Sequence, residues 1–272
     1  MNSLRHRYRI PTAAVLGWFA AIGLPPAGAG QDQAGANGNI SRFAAQIRLV
    51  GIGWQEDAVH PKKLHATPEV PPGSRVYMGR RIADTMSYHG APWLVRNERE
   101  DEERCSLLLT NLNLKPGMTV CDLGCGNGFY TLPLARLIGD KGRVFAVDIQ
   151  PEMLTLLRES AEREAIENIT PILGSVDDPR LPDESIDLIL LVDVYHEFSH
   201  PEPMLARMKA ALKPDGHIAL VEFRAEDDSV PIKPEHKMSK EQIMKEFPAN
   251  GFKLTSEFDK LPWQHLMIFG KE

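Results

Sequence analysis

The segment with the clearest chemical signature is a run of alternating glycines near the middle of the chain. Gly124, Gly126 and Gly128 follow an apolar run, residues 118–123, that contains Asp122. Glycine allows positive φ angles and lets a ligand approach the main chain closely. The spacing is not the G-x-G-x-x-G of dinucleotide-binding loops, and no Gly-Lys-Ser/Thr follows as in a P-loop. Asp122 would repel a pyrophosphate and attract an amino or sulfonium group, so the segment favours a cationic ligand.

A second acidic residue follows at a spacing typical of ribose binding. Asp148 ends the apolar run 143–148 and lies 26 residues after Asp122, close to the separation expected for a carboxylate that binds ribose hydroxyls. Hydrogen bonds to a charged group contribute about 1.5–3 kcal/mol each. Two alternatives stay open: Asp148 caps the helix that follows it, and Gly124 and Gly126 serve a tight turn alone.

The elements that must position these residues alternate along the chain. Strands are predicted at 118–123, 143–148, 169–173, 185–192, 217–223, 252–258 and 265–269, and helices at 102–114, 129–138, 151–165, 201–212 and 239–250. Strands that alternate with helices predict an α/β fold with a parallel, doubly wound sheet and right-handed crossovers. Ligands of such sheets bind beyond the carboxyl ends of the strands. The loops after the strands are therefore the places to look for chemistry.

Four segments in this pattern carry a family resemblance. VCDLGCGNGFYTLPLA, VFAVDIQPEML, DLILLVDVYHEF and LKPDGHIALVEF resemble, in order and spacing, the core motifs of class I S-adenosylmethionine-dependent methyltransferases. The segment HKMSKEQIMKEFPANGFKL resembles the UbiE-like, type 11 branch of that family, and the resemblance covers about residues 104–270. It implies a Rossmann-like seven-stranded sheet, mostly parallel with the last strand antiparallel, in a domain at 111–272. It also implies S-adenosylmethionine as cofactor and in-line methyl transfer to a small organic acceptor; the alternative is a binding protein that keeps the fold without catalysis.

The resemblance also implies a cofactor site built from the loops after the first four strands. Its implied members are Asp122, Gly124, Cys125, Gly126, Asn127 and Gly128 at the methionine end, Asp148 at the ribose, Ile149, Ser175, Val176 and Asp177 at the adenine, and Asp193 beside the amino group and the acceptor opening. Ser175 stands where many relatives have the acid of a Gly-Asp-Ala segment, so Asp177 is the expected substitute. Asp193 has an alternative role as a helix cap.

The acceptor site is expected around Tyr195 and His196, which follow the fourth strand. His196 is the preferred general base because its unperturbed pKa lies near neutrality, and a packed structural histidine is the alternative. Further acceptor contacts are expected from Tyr77, His89 and Trp93 ahead of the core, from Glu222, Arg224 and His236 after the fifth strand, and from Trp263 before the last one. Glu222 and Arg224 could instead pair with each other. No metal is expected, because no His or Cys completes a site with Cys121 and Cys125.

The first 110 residues differ from this core. Three arginines before residue 10, an apolar run at 12–24 and the small residues 27–30 are typical of a Sec-type signal peptide at 1–29, which predicts export; an uncleaved membrane anchor is the alternative. Residues 30–75 read as a flexible, irregular segment, and 76–110 as a helical lid or a cap docked on the sheet edge. Removing 1–29 takes away three arginines and no acid, so the net charge goes from −6 to −9. This balance predicts that the mature protein does not bind nucleic acid. The apolar run at 12–24 is shorter than the roughly 20 residues that span a bilayer, so the mature protein is also expected not to span a membrane.

Overall fold

The computed structural model describes residues 72–272. The predicted leader at 1–29 and nearly all of the predicted irregular segment at 30–75 lie outside the described residues, so both stay predictions. Within 72–272, no helix combines the length and the apolar character needed to cross a bilayer.

The predicted lid begins with a β-hairpin and not with a helix. Strands β1 (Val76–Tyr77) and β2 (Arg80–Arg81) pair antiparallel. Met78 and Gly79 between them have φ angles of 47° and 98°, as the tight two-residue turns of β-hairpins require. The prediction of a helical lid over 76–110 is therefore wrong for its first part, because the Met-Gly turn reverses the chain.

Helical structure in this segment begins at a 3-10 turn, Tyr88–Gly90, and continues through three short helices. These are α1 (Ala91–Leu94), α2 (Arg99–Glu103) and α3 (Cys105–Asn111). The predicted single helix at 102–114 is divided, because Arg104 lies in the left-handed region with a φ of 52°. The division gives α2 and α3 separate directions and leaves α2 to contact the site described below.

The core is a seven-stranded sheet in the order β5-β4-β3-β6-β7-β9-β8. Its strands are β3 (Thr119–Leu123), β4 (Arg143–Asp148), β5 (Ile169–Leu173), β6 (Ile186–Val192), β7 (Leu212–Phe223), β8 (Phe252–Phe258) and β9 (Gln264–Lys271). Strands β3 to β7 pair in parallel, and β9 runs antiparallel to both β7 and β8. The predicted fold, with its antiparallel last strand, is confirmed.

Helices cover both faces of the sheet. They are α4 (Thr131–Ile138), α5 (Pro151–Arg163), α6 (Pro201–Ala211) and α7 (Lys240–Ala249). Along β6, Leu188 and Leu190 pack in one apolar cluster with α3, α4 and α5, while Ile189 and Leu191 pack in a second cluster with α6 and α7. Because successive side chains point to opposite faces, the strand is apolar from Leu188 to Val192.

Chain order reverses beside β3, which positions the site. The chain moves outward from β3 through β4 to β5 and then returns to form β6 on the other side of β3. A crevice forms at such a switch point, beyond the carboxyl ends of the strands. Strand β7 begins at Leu212 and not at the predicted residue 217, because Ile186 pairs with Leu212 before a shift in register.

Candidate active site

A cavity of about 450 Å³ lies at the carboxyl edge of the sheet, at this switch point. It is lined by loops after β3, β4, β5 and β6, by the segment between β2 and α2, and by the loop between β7 and α7. The structure brings ten of the sequence-predicted site residues to its wall: Trp93, Gly124, Gly126, Asp148, Ile149, Ser175, Val176, Asp193, His196 and His236.

The glycine loop is shaped by both its backbone angles and its neighbours. Gly124 has a φ of +77°, and an added Cβ there would lie 2.4 Å from Cγ2 of Val194. At Gly126, with a φ of +54°, an added Cβ would lie 2.8 Å from Cδ1 of Leu94. Both glycines thus serve the fold itself, and they also leave the main chain bare where it faces the cavity.

Asp148 occupies the position expected of a ribose-binding carboxylate. Its Oδ2 accepts a hydrogen bond of 2.9 Å from the Gly126 amide, and its Oδ1 accepts one of 2.9 Å from the Gln150 amide. Burial raises the pKa of Asp148, while these backbone donors oppose the rise. The N-cap of α5 is Gln150, so the alternative in which Asp148 caps that helix is wrong. Its carboxylate links the glycine loop to Gln150, the residue just before α5, and Asp148 lines the cavity.

Asp193 is held in an unusual state. Its φ is 52°, and its Oδ2 accepts a hydrogen bond of 2.6 Å from Nε2 of Gln264. Its Oδ1 is buried and has no hydrogen-bond partner among residues 72–272. Burial, together with the charges of Glu103 and Glu222, raises the pKa of Asp193 well above its usual range. The 3-10 turn that follows is preceded by Val194 as N-cap, so Asp193 is not the cap of that turn.

An apolar slot lies at the opposite end of the cavity. Ile149 and Val176 line it and are 38% and 37% exposed, which is unusual for neighbouring aliphatic side chains in a closed fold and fits a flat apolar ring. Asp177 does not line the cavity, because its Oδ1 accepts a hydrogen bond of 2.7 Å from the Ser175 hydroxyl. The expected substitution of Asp177 for the missing acid is therefore not seen in this arrangement.

Four other predicted cofactor residues, in the loop or just before it, are not among the described residues that line the cavity. Asp122 is 3% exposed and its Oδ2 accepts a hydrogen bond of 2.6 Å from the Thr131 hydroxyl at the start of α4. Burial raises the pKa of Asp122 to about 6. Cys125 is buried, Nδ2 of Asn127 donates to the Ala91 carbonyl at 3.1 Å, and Gly128 has a φ of +93°. These residues support the loop from outside the cavity wall.

A cluster of imidazoles and carboxylates forms the acceptor end. His196 is 2% exposed; its Nδ1 lies 2.6 Å from Oε2 of Glu222 and its Nε2 lies 3.1 Å from Nδ1 of His236. Burial lowers the pKa of His196 and the Glu222 carboxylate raises it, and the net pKa lies above the usual value. Glu197, whose Oε1 is 4.0 Å from Nε2 of His196, has its pKa raised by burial to about 7. The general-base role of His196 stays a prediction.

Tyr195 is not brought to the cavity. Its ring is fully buried against Phe198 and Phe247, and its hydroxyl donates to Oε2 of Glu246 at 2.7 Å. The predicted catalytic role of Tyr195 is corrected on this ground: in the 3-10 turn Tyr195–Glu197, His196 faces the cavity and Tyr195 faces the core.

Several predicted acceptor contacts also lie elsewhere. Glu222 pairs with His196 and not with Arg224, whose guanidinium contacts His265 and the carbonyls of residues 259 and 261. The Tyr77 hydroxyl accepts a hydrogen bond from Asn250. His89 is exposed and packs on Tyr88, and the Trp263 ring lies 6.5 Å from that of Phe223. Five predicted acceptor residues are not among the described residues that line the cavity. They are Glu222, Arg224, Tyr77, His89 and Trp263.

The segment between β2 and α2 closes over the cavity and is held by the loops beneath it. Gln150 accepts from the Tyr88 amide at 2.8 Å and donates to the Met86 carbonyl at 2.9 Å. Glu197 accepts from the Met86 amide at 3.2 Å. This arrangement favours the lid interpretation over a cap on the sheet edge.

Three cavity residues carry no sequence signal that would single them out. Arg99 is 4% exposed, donates to Glu103 at 2.8 Å and lies 4.2 Å from the centre of the Phe129 ring. Gln150 and Glu197 are defined by their contacts with the lid. Gln150 and Glu197 contact Met86, which is distant in sequence, and Arg99 lies in the short helix α2, which the sequence does not predict. Local spacing therefore does not reveal these three residues.

Comparisons with known proteins agree with this geometry. Residues 114–267 match a family model described as a methyltransferase domain. The chain is 28% identical over 148 residues to the ubiquinone/menaquinone biosynthesis C-methyltransferase UbiE of Shewanella oneidensis, covering 54% of each chain. It is 30% identical over 176 residues to a fibrillarin-like rRNA/tRNA 2'-O-methyltransferase of Thermococcus sibiricus, covering 62% of this chain and 74% of the relative.

Solved structures share the fold. An S-adenosylmethionine-dependent methyltransferase from Aquifex aeolicus superposes with a TM-score of 0.64 at 25% identity, over 68% of this chain and 98% of the other. The match spans about half the length of the UbiE relatives. These relatives are methyltransferases by name, and nothing among them supports the alternative of a non-catalytic binder.

Proposed function

The chain belongs to the methyltransferase domain family, and we propose that it transfers the methyl group of S-adenosylmethionine to a small organic acceptor bound at the His196 end of the cavity. When bound, S-adenosylmethionine supplies a methyl group on a positively charged sulfur; the acceptor atom bonds to the methyl carbon in line with the sulfur, which leaves. The protein's own task is then to align two molecules and exclude water.

The observation that carries this proposal is the unpaired Oδ1 of Asp193. A buried carboxylate oxygen without a partner costs free energy, and Asp193 is one of the residues that line the cavity. The amino group of a methionine moiety would satisfy it, while Asp148 would accept from the ribose and Ile149 and Val176 would contact the adenine. All four of these residues line the same cavity, which supports the proposal.

The wall around the acceptor end favours a compact, largely apolar molecule. Met86, Phe198, Met204, Phe223 and Ile232 line the cavity there, together with the His196 cluster. Such an apolar wall with a few convergent polar groups is typical of small-molecule sites.

An RNA acceptor is the second candidate, because the fibrillarin-like relative is named for rRNA and tRNA. Three of the arginines in the lid are held in ion pairs, whereas Arg81 and Arg104 are exposed. Arg80 pairs with Glu246, and Arg96 and Arg99 both pair with Glu103. With a net charge of −6 for the whole chain, this pairing favours the small acceptor.

The test is transfer of a labelled methyl group. The full chain is incubated with methyl-labelled S-adenosylmethionine and, separately, with a low-molecular-weight metabolite extract and with total RNA. We expect label in small metabolites and none in RNA above the level obtained with Asp148→Ala. Label confined to RNA, or no transfer to either fraction by a folded chain that binds S-adenosylhomocysteine, would contradict the proposal.

A further inference from the structure

We propose that His196, Glu197 and His236 form a site for one divalent transition-metal ion at the acceptor end of the cavity. The inference rests on the proposed function only in assigning this end of the cavity to the acceptor. The ion would be of the Zn²⁺ class, held by two imidazole nitrogens and one carboxylate oxygen. Its open positions would take an oxygen-bearing acceptor.

The spacing of the ligand atoms carries the proposal. One atom from each of the three residues lies within 4.8 Å of the other two. Two donors bound at about 2.1 Å to one ion lie roughly 3.0–3.4 Å apart for angles between 90° and tetrahedral. Nε2 of His196 and Nδ1 of His236 are 3.1 Å apart, which is already in this range. Oε1 of Glu197 is 4.0 Å from Nε2 of His196 and accepts from the Met86 amide, so this carboxylate has to move closer to complete the set.

Glu222 fixes the orientation of the first imidazole. Its Oε2 lies 2.6 Å from Nδ1 of His196, and the same carboxylate accepts from the His196 amide at 3.3 Å. When Nδ1 donates its proton to Glu222, the neutral ring of His196 has its lone pair on Nε2, the atom that lies beside His236. A carboxylate that holds the far nitrogen of a ligating histidine is a recurring feature of metal sites and supports metal affinity by 10–100-fold.

The position of the cluster connects it to ligand binding. All three ligands line the same cavity as Asp193 and Asp148. Two nitrogens and one carboxylate oxygen suit Zn²⁺, Fe²⁺ or Co²⁺ better than Mg²⁺, which prefers an all-oxygen shell. Three protein ligands leave room for a further ligand, as catalytic sites require and structural sites do not. A coordinated His196 would not act as the base predicted from the sequence, so the two roles exclude each other.

Metal binding by the full chain tests the proposal directly. Calorimetric titration with Zn²⁺ should give one equivalent bound to the wild type, and a parallel titration with Mg²⁺ should give no comparable binding. His236→Ala removes a ligand that lies on a partly exposed turn, and we expect at least a tenfold loss of Zn²⁺ affinity. Glu222→Gln, which keeps the ligands, should weaken affinity by about 10–100-fold.

The matched control is His217→Ala. His217 is a partly buried histidine near the amino end of β7, away from the carboxyl edge that carries the site. It should leave Zn²⁺ affinity unchanged. Circular dichroism of each variant verifies folding. If wild type and His236→Ala bind Zn²⁺ equally well, the binding is adventitious and the proposal is overturned; absence of stoichiometric binding by the folded wild type also overturns it.

The methyl-transfer assay separates this proposal from the proposed function. Transfer to small metabolites that survives exhaustive chelation, with no Zn²⁺ site found by titration, overturns the metal site and leaves the function standing. A Zn²⁺ site that depends on His236, in a chain that methylates only RNA, supports the site and contradicts the small acceptor.

Discussion

Replacing Asp148 by alanine is the sharpest perturbation of the cofactor end. The side chain is 8% exposed, and both its oxygens are within 2.9 Å of backbone amides, those of Gly126 and Gln150. Because these two donors use only part of the acceptor capacity of a carboxylate, lone pairs remain for two ribose hydroxyls.

The expected magnitude follows from those remaining bonds. Hydrogen bonds to a charged group contribute about 1.5–3 kcal/mol each, and the carboxylate of Asp148 has already lost most of its water in the folded protein. Even one such bond lost on substitution corresponds to about 1.4 kcal/mol or more, which is a tenfold change in affinity. Loss of two bonds, with relaxation of the glycine loop, extends the expected range to about 100-fold. Asp148→Asn retains one acceptor oxygen, so its loss should be smaller.

Calorimetric titration with S-adenosylhomocysteine measures the effect. The matched control is Asp215→Ala, which removes an exposed carboxylate near the start of β7, and it should bind like the wild type. Melting temperatures without ligand show whether the loop itself has been lost. If folded Asp148→Ala binds within twofold of the wild type, the ribose assignment is refuted.

Two further predictions concern the support behind the loop. Asp122 has a pKa of about 6 against an ordinary 3.8, so the folded state retains its proton to higher pH than the unfolded chain does. Stability therefore falls as pH rises, by roughly 2 kcal/mol between pH 4 and 6 and by roughly 3 kcal/mol in all. Asp122→Asn should flatten this fall in urea unfolding at pH 4, 6 and 8; parallel curves for both proteins would contradict it. Gly128→Ala places a methyl 2.4 Å from Cδ1 of Leu157, whereas Gly117→Ala, at a similar φ of +87°, meets nothing within 4 Å. In both variants the positive φ costs about 1–2 kcal/mol of stability, so the additional contact should give Gly128→Ala the lower melting temperature. Equal melting temperatures for the two variants would contradict this prediction.

The parts predictable from sequence are those fixed by short-range patterns. The alternation of strands and helices determined the sheet, and β4 was located at 143–148 because its apolar run ends abruptly in an acid. The same pattern identified Asp148 and the glycine loop, since both lie directly after strands. Parallel strands bring such positions to one edge whatever the rest of the chain does.

What could not be predicted depends on direction and distance. Tyr195 and His196 are neighbours in a 3-10 turn, and only the left-handed backbone of Asp193 before them decides which one faces the cavity. Arg99 lines the cavity from α2, which ends at Glu103 before the left-handed Arg104, and no proline or glycine marks this break. Contacts that span more than 100 residues, such as that between Met86 and Glu197, leave no local trace.

Two costs coincide at Asp193, and their coincidence is the strongest argument that this edge of the sheet is a site. A non-glycine residue at a φ of 52° costs on the order of 1–3 kcal/mol, and a buried polar oxygen without a partner costs about 1–3 kcal/mol more. A fold that needed Asp193 only for packing would be more stable with glycine or asparagine there. Gln264 donates to Oδ2, Oδ1 has no partner among residues 72–272, and Asp193 lines the cavity together with Gly124 and His196. The unfavourable conformation therefore lies where the amino group of the cofactor and the acceptor would meet, and a ligand with a positively charged nitrogen would recover part of its cost.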